Sequence, residues 1–159
     1  MEVHSVRTTA SVLAVMIMLA ATAFSQSNHC TPAGGLILTD VGVPDANSTQ
    51  GYATGDLKGS VGVTILSTEG TGNTLILHVQ HHWVSDSGDI IGVAQATATT
   101  TQVAPGLYAL VNYPFHLNGT GTGKFAGTTG DFTVIGEADL ANGRLGLRYT
   151  GTICYAHGD

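Results

Sequence analysis

The strongest constraint on this chain is a rhythm. Runs rich in β-branched and aromatic residues return roughly every dozen to fifteen residues, and Gly, Asn, Asp or Pro interrupts each before it can coil into a helix. The runs are Leu36–Val41, Gly55–Ser67, Thr74–Val84, Ile90–Thr101, Leu107–Leu117, Asp131–Leu140 and Leu145–Tyr155. None repeats its apolar residues at the three- and four-residue spacing of a helix over a useful length. The reading is therefore all-β, with antiparallel strands joined as a meander, a sandwich or a closed barrel. The connections are short, so one domain is expected over residues 26–159.

Residues 1–25 read as a secretory signal. The apolar run Val12–Phe24 is about 13 residues long and ends in small side chains, which suits a signal core, whereas a spanning helix needs about 20. That places the mature chain outside the cytoplasm, secreted or periplasmic, with no membrane contact after cleavage. Two cysteines, Cys30 and Cys154, stand near the two ends of the mature chain. In an exported protein such a pair predicts a disulfide, which would pin the N-terminal segment onto the last strand. The whole chain has 5 Lys and Arg against 11 Asp and Glu, a sparse, acidic set that excludes nucleic acid as a partner.

Two hairpins carry most of the register information. Asn142-Gly143 between alternating strands predicts a two-residue type I′ turn, which would place Leu140 opposite Leu145, Gly136 opposite Tyr149 and Glu137 opposite Arg148. Around Ser85–Asp89 the expected pairs are Val84 with Ile90, Gln80 with Ala94 and His78 with Ala96. One face of Ile90–Thr101 is then all small (Gly92, Ala94, Ala96, Ala98), a row that marks close approach of a sheet, a subunit or a ligand. Which face of residues 74–101 points inward is left open by the sequence.

The glycine-rich stretch 119–130 is neither a P-loop, since Phe125 follows Lys124 where Ser or Thr should hold a metal ion, nor a dinucleotide fingerprint, since no helix follows. It reads instead as a glycine-cornered connection, with a short turn packing Phe125 onto the sheet end. Residues 121–136, Gly-Thr-Gly-Lys-Phe-Ala-Gly-Thr-Thr-Gly-Asp-Phe-Thr-Val-Ile-Gly, resemble the signature of allene oxide cyclase-like barrels, the group that includes the dirigent proteins. The resemblance implies an eight-stranded, calycin-like closed barrel, often trimeric, whose cavity in several members steers cyclisation or coupling of an apolar substrate. It carries no catalytic residue onto this chain.

Candidate site residues come from side-chain chemistry. His81 and Trp83 share a strand face. An imidazole titrating near neutrality beside an aromatic wall suits a general acid–base in an apolar cavity, while a histidine hydrogen-bonded within the sheet is the plainer alternative. Tyr108, Tyr113, His116 and Tyr149 complete the candidate ligand-binding set, with His81 the candidate for catalysis. His78 and His82 share a face roughly 13 Å apart and His81 points the other way, so no metal site is expected, and no cofactor. The leading expectation is an exported barrel binding a small apolar or aromatic ligand. Two alternatives stay open: a cyclase or isomerase using the same cavity, and a ligand-free interaction protein, a homo-oligomer such as a trimer joined through Ile90–Thr101.

Overall fold

β-Branched alternation closes on itself. The computed structural model describes residues 29–156; the expected signal lies outside the described residues. Eight antiparallel strands follow one another around a closed ring: β1 (His29–Val41), β2 (Ser48–Ala53), β3 (Gly59–Thr71), β4 (Thr74–Ser85), β5 (Ala96–Ala104), β6 (Leu107–Thr120), β7 (Ala126–Asp139) and β8 (Arg144–Tyr155). β8 pairs with β1 from His29↔Tyr155 to Asp40↔Arg144, which closes the ring. The Cys30–Cys154 disulfide joins directly opposed residues of that closing pair. No helix among the described residues is long and apolar enough to cross a membrane.

Alternation sets the inside of the ring. Along β7, Thr128, Phe132 and Val134 are buried while Thr129, Asp131, Thr133 and Ile135 are exposed. β8 answers with Leu147, Tyr149 and Ile153. The connection before β7 packs Phe125 as expected, its ring centre 6.3 Å from that of Tyr155, but the turn is a 3-10 turn at Gly123–Phe125 rather than around Lys124–Thr128, and the strand starts at Ala126 rather than Gly130.

The strand expected at Gly55–Ser67 starts only at Gly59, after a 3-10 turn at Gly55–Leu57. Three larger details differ from the sequence reading. β2 is an extra strand: its sequence Ser-Thr-Gln-Gly-Tyr-Ala has no apolar alternation to betray it, and its inward positions are Thr49, Gly51 and Ala53. The β7–β8 hairpin is offset by two residues. Asp139 pairs with Arg144, Val134 with Tyr149 and Gly136 with Leu147, so Leu140 is not opposite Leu145 and Glu137 faces Gly146 rather than Arg148. A type I′ turn needs positive φ at both central residues. Gly143 has φ 64°, but no non-glycine described residue has positive φ, Asn142 included. Asp139 instead accepts hydrogen bonds from Asn142 N (3.1 Å) and Nδ2 (2.6 Å), which holds a wider turn. A two-residue offset preserves parity, so each side chain keeps its expected face.

The third difference is the strand expected at Ile90–Thr101. Val84 does pair with Ile90, but the chain then leaves β4 for the end of β6, where Val93 bridges Leu117 and Ala94 N donates to His116 O at 2.9 Å. Gly92 runs so close to β6 that a Cβ there would come within 2.5 Å of Thr120 Oγ1. When the chain rejoins β4 its register has moved by one, with Val79 opposite Ala96 and Leu77 opposite Ala98. Leu77, Val79, His81 and Trp83 therefore face inward together with Ala98. The small row does not form an outer face.

Candidate functional site

The ring interior divides into two parts. At the disulfide end it is filled. Phe115 stacks on Phe132 at 4.8 Å and 8°, with Trp83 5.9 Å from Phe115 and Tyr149 edge-on to Trp83 at 6.0 Å. The turn Gly55–Leu57 plugs this end. Leu57 is fully buried, its N–H donates to the Tyr149 hydroxyl (2.9 Å), and its carbonyl accepts from Trp83 Nε1 (2.9 Å). The Tyr149 hydroxyl donates in turn to Thr54 O at 2.7 Å. Burial pushes the Tyr149 phenol up to about 12, opposed by the Leu57 backbone bond.

Towards the other end, where the β1–β2 and β7–β8 turns lie, the interior is hollow. A cavity of about 110 Å³ has Trp83 and Phe115 at its floor, aliphatic walls such as Val61, Val63, Leu77 and Val134, and Leu140 at its mouth. Leu140 lines the cavity while half exposed, and its N–H donates to Gly106 O at 2.8 Å, which ties the β7–β8 turn to the β5–β6 turn. The lumen surface is almost wholly carbon.

His81 and Tyr113 are the ionisable groups among the residues that line it. Their rings stack 5.8 Å apart, and His81 Nε2 lies 2.6 Å from the Tyr113 hydroxyl. His81 Nδ1 lies 3.2 Å from Ala94 O. A carbonyl only accepts, so Nδ1 carries the proton, Nε2 is the acceptor, and Tyr113 donates. Burial lowers the His81 pKa to about 4, against a smaller opposing effect of the Ala94 bond, and burial raises the Tyr113 phenol. Both groups are neutral at pH 7. An imidazole so depressed, with both nitrogens engaged, is a weak base.

A bulge decides which β6 residues join this wall. Leu110 pairs with Gly136 and Tyr113 with Val134, so three steps on β6 match two on β7. Leu110 and Tyr113 thereby face inward together, as do Phe115 and Leu117, while His116 faces out. Of the expected site residues, His81, Trp83 and Tyr113 line the cavity. Tyr149 lies beneath it in the aromatic packing, and Tyr108 is half-buried opposite Ala138 without lining it. His116 is on the exterior, its Nδ1 2.6 Å from Asp131 Oδ1.

The threonines of the lining, Thr39, Thr49 and Thr100, escaped the sequence reading. Thr39 and Thr49, on β1 and β2, are more than nine-tenths buried in the wall, and neither hydroxyl has a hydrogen-bond partner in the protein. In a threonine-rich chain no sequence signal separates them from the others. Among the described residues no three His, Cys, Asp or Glu side chains converge as metal ligands. Compared with known proteins, the chain matches no family model, no curated protein and no solved structure.

Proposed function

We propose that this chain is an exported, allene oxide cyclase-like barrel of the calycin type that binds a small apolar or aromatic molecule in its interior and needs no cofactor for it. The observation that carries this reading is a cavity of about 110 Å³ with an almost purely carbon surface, in a ring whose other half is filled by aromatic side chains. An apolar cavity of about 150 Å³ stays dry and takes up benzene. Pockets for drug-sized ligands run from about 300 Å³ upward. The size therefore fits a single ring or a short branched chain. The Cys30–Cys154 disulfide supports an oxidising compartment, hence a secreted or periplasmic location.

The test is calorimetric titration of the purified protein with ring-sized apolar compounds, toluene first. Wild type should bind, and Ala98→Phe, which fills the cavity from β5, should not. Absence of binding in wild type, or equal binding in both, overturns the reading.

A catalytic reading, a cyclase or isomerase, has one observation behind it: the short Tyr113–His81 hydrogen bond in a water-excluding wall. There Tyr113 donates a hydrogen bond to His81, and passing the proton across would leave both a buried phenolate and a buried imidazolium. Substitution of His81 by Gln should abolish turnover of any substrate the wild type converts. Unchanged turnover removes His81 from the reaction.

A further inference from the structure

Every polar side chain in the cavity wall has a partner except two. His81 is engaged at both nitrogens, Tyr113 donates to His81, Trp83 Nε1 donates to Leu57 O, and Thr100 Oγ1 lies 3.4 Å from Leu75 O. Only the hydroxyls of Thr39 and Thr49 are unclaimed. Buried hydroxyls without a partner are uncommon in folded proteins, because each forgoes the hydrogen bonds it made in water. These two occur together. Thr39 pairs with Gly51 and Thr49 with Val41, which sets them diagonally across the β1–β2 ladder on its inward face, a spacing of about 7–8 Å with the Cβ atoms somewhat closer. Each can turn about χ1 between staggered positions and exchange methyl for hydroxyl at the lumen without breaking a bond.

We infer that the natural ligand carries a carbonyl oxygen on its apolar body, bound by donation from the Thr39 and Thr49 hydroxyls, while the carbon skeleton lies against Val61, Val79 and Trp83. This rests on the cavity-binding reading above. The ligand is uncharged, because no Lys, Arg, Asp or Glu is among the lining residues and an ion would enter a carbon-walled space unpaired. The class is thus a small neutral ketone, aldehyde or ester, neither a carboxylate nor an amine.

A matched ligand pair tests the inference against the isosteric variant Thr39→Val/Thr49→Val. Cyclohexanone and methylenecyclohexane have the same shape and differ in C=O against C=CH2. The ratio of their dissociation constants, measured by calorimetry in wild type and variant, removes the difference in their solubility. The ratio should shift roughly tenfold towards the hydrocarbon in the variant, the size of one or two hydrogen bonds, and Thr39→Ser/Thr49→Ser should keep the wild-type ratio. An unchanged ratio with both compounds binding overturns the carbonyl assignment and leaves the cavity reading standing. Failure of both compounds to bind wild type overturns both.

Discussion

The two halves of the ring interior are built by the same alternation and end differently. Towards the disulfide end, inward positions carry Phe115, Phe132, Tyr149 and Trp83, and the Gly55–Leu57 turn adds Leu57 as a plug. Towards the other end Thr39, Thr49, Val63, Ala98 and Thr100 stand among aliphatics such as Leu77, with no aromatic ring beyond Tyr113, and a cavity of about 110 Å³ is left between them. Period-2 patterning decides which residues go inside. Side-chain volume at those positions decides whether the inside is a core or a container. His81 and Tyr113 stand at the boundary, supported below by Phe115, whose ring centre is 5.8 Å from that of His81.

If the filled half carries the stability, truncation there should be the costliest change. Phe115→Ala should lose about 3–5 kcal/mol in urea unfolding. A loss no greater than that of Leu77→Ala, in the hollow half, would break the comparison.

The boundary is next. His81 is buried neutral, with a folded pKa of about 4 against about 6.5 unfolded. Between those values the unfolded chain takes up a proton that the folded chain refuses. Stability is therefore full above about pH 6.5 and falls as pH drops towards 4, by about 3 kcal/mol. His81→Gln should flatten that part of the stability–pH curve, read by urea midpoints at a series of pH values. A curve of unchanged slope would place the histidine outside the sealed interior.

Overfilling separates the halves more finely. Ala53, fully buried opposite Gly59 near the plugged end, has no room to grow, and Ala53→Leu should cost about 1–3 kcal/mol. Ala98→Leu, growing into the cavity, should fall within about 1 kcal/mol of wild type. Equal costs would mean that the cavity is not free space. Smallest is the effect of Thr39→Val, which removes an unpartnered hydroxyl at constant shape and should raise stability by about 1 kcal/mol or less.

How far these features were legible depends on whether neighbours or the residue itself set them. Inward placement of Leu147 and Tyr149 follows from alternation and survived a two-residue error in the β7–β8 register, whereas alternation put His81 and Trp83 on one face of β4 without saying that it was the inner one. β2 was invisible because its inward residues are Thr49, Gly51 and Ala53, whose burial comes from the strands beside them. The bulge on β6 moved Tyr113 into the wall with Leu110 and left His116 outside, and nothing in Leu107–Leu117 announces an extra residue. The excursion at Gly92 had a visible glycine, but its partner, Thr120, is distant in sequence. The stretch 121–136 that carries the family resemblance contributes Val134 alone to the cavity wall, and other residues supply the rest.

The pairing of the first strand with the last has a consequence for biogenesis. β1 cannot acquire its second neighbour until β8 exists, so a chain growing from its N-terminus carries an unpaired edge through the whole of synthesis. Closure joins residues more than a hundred positions apart, and such long-range pairing is the slow kind, on the order of milliseconds to seconds. A polypeptide shortened before Arg144 would leave β1 and β7 both exposed as templates for strand addition, so truncation products of this chain should self-associate through edges that the intact ring closes.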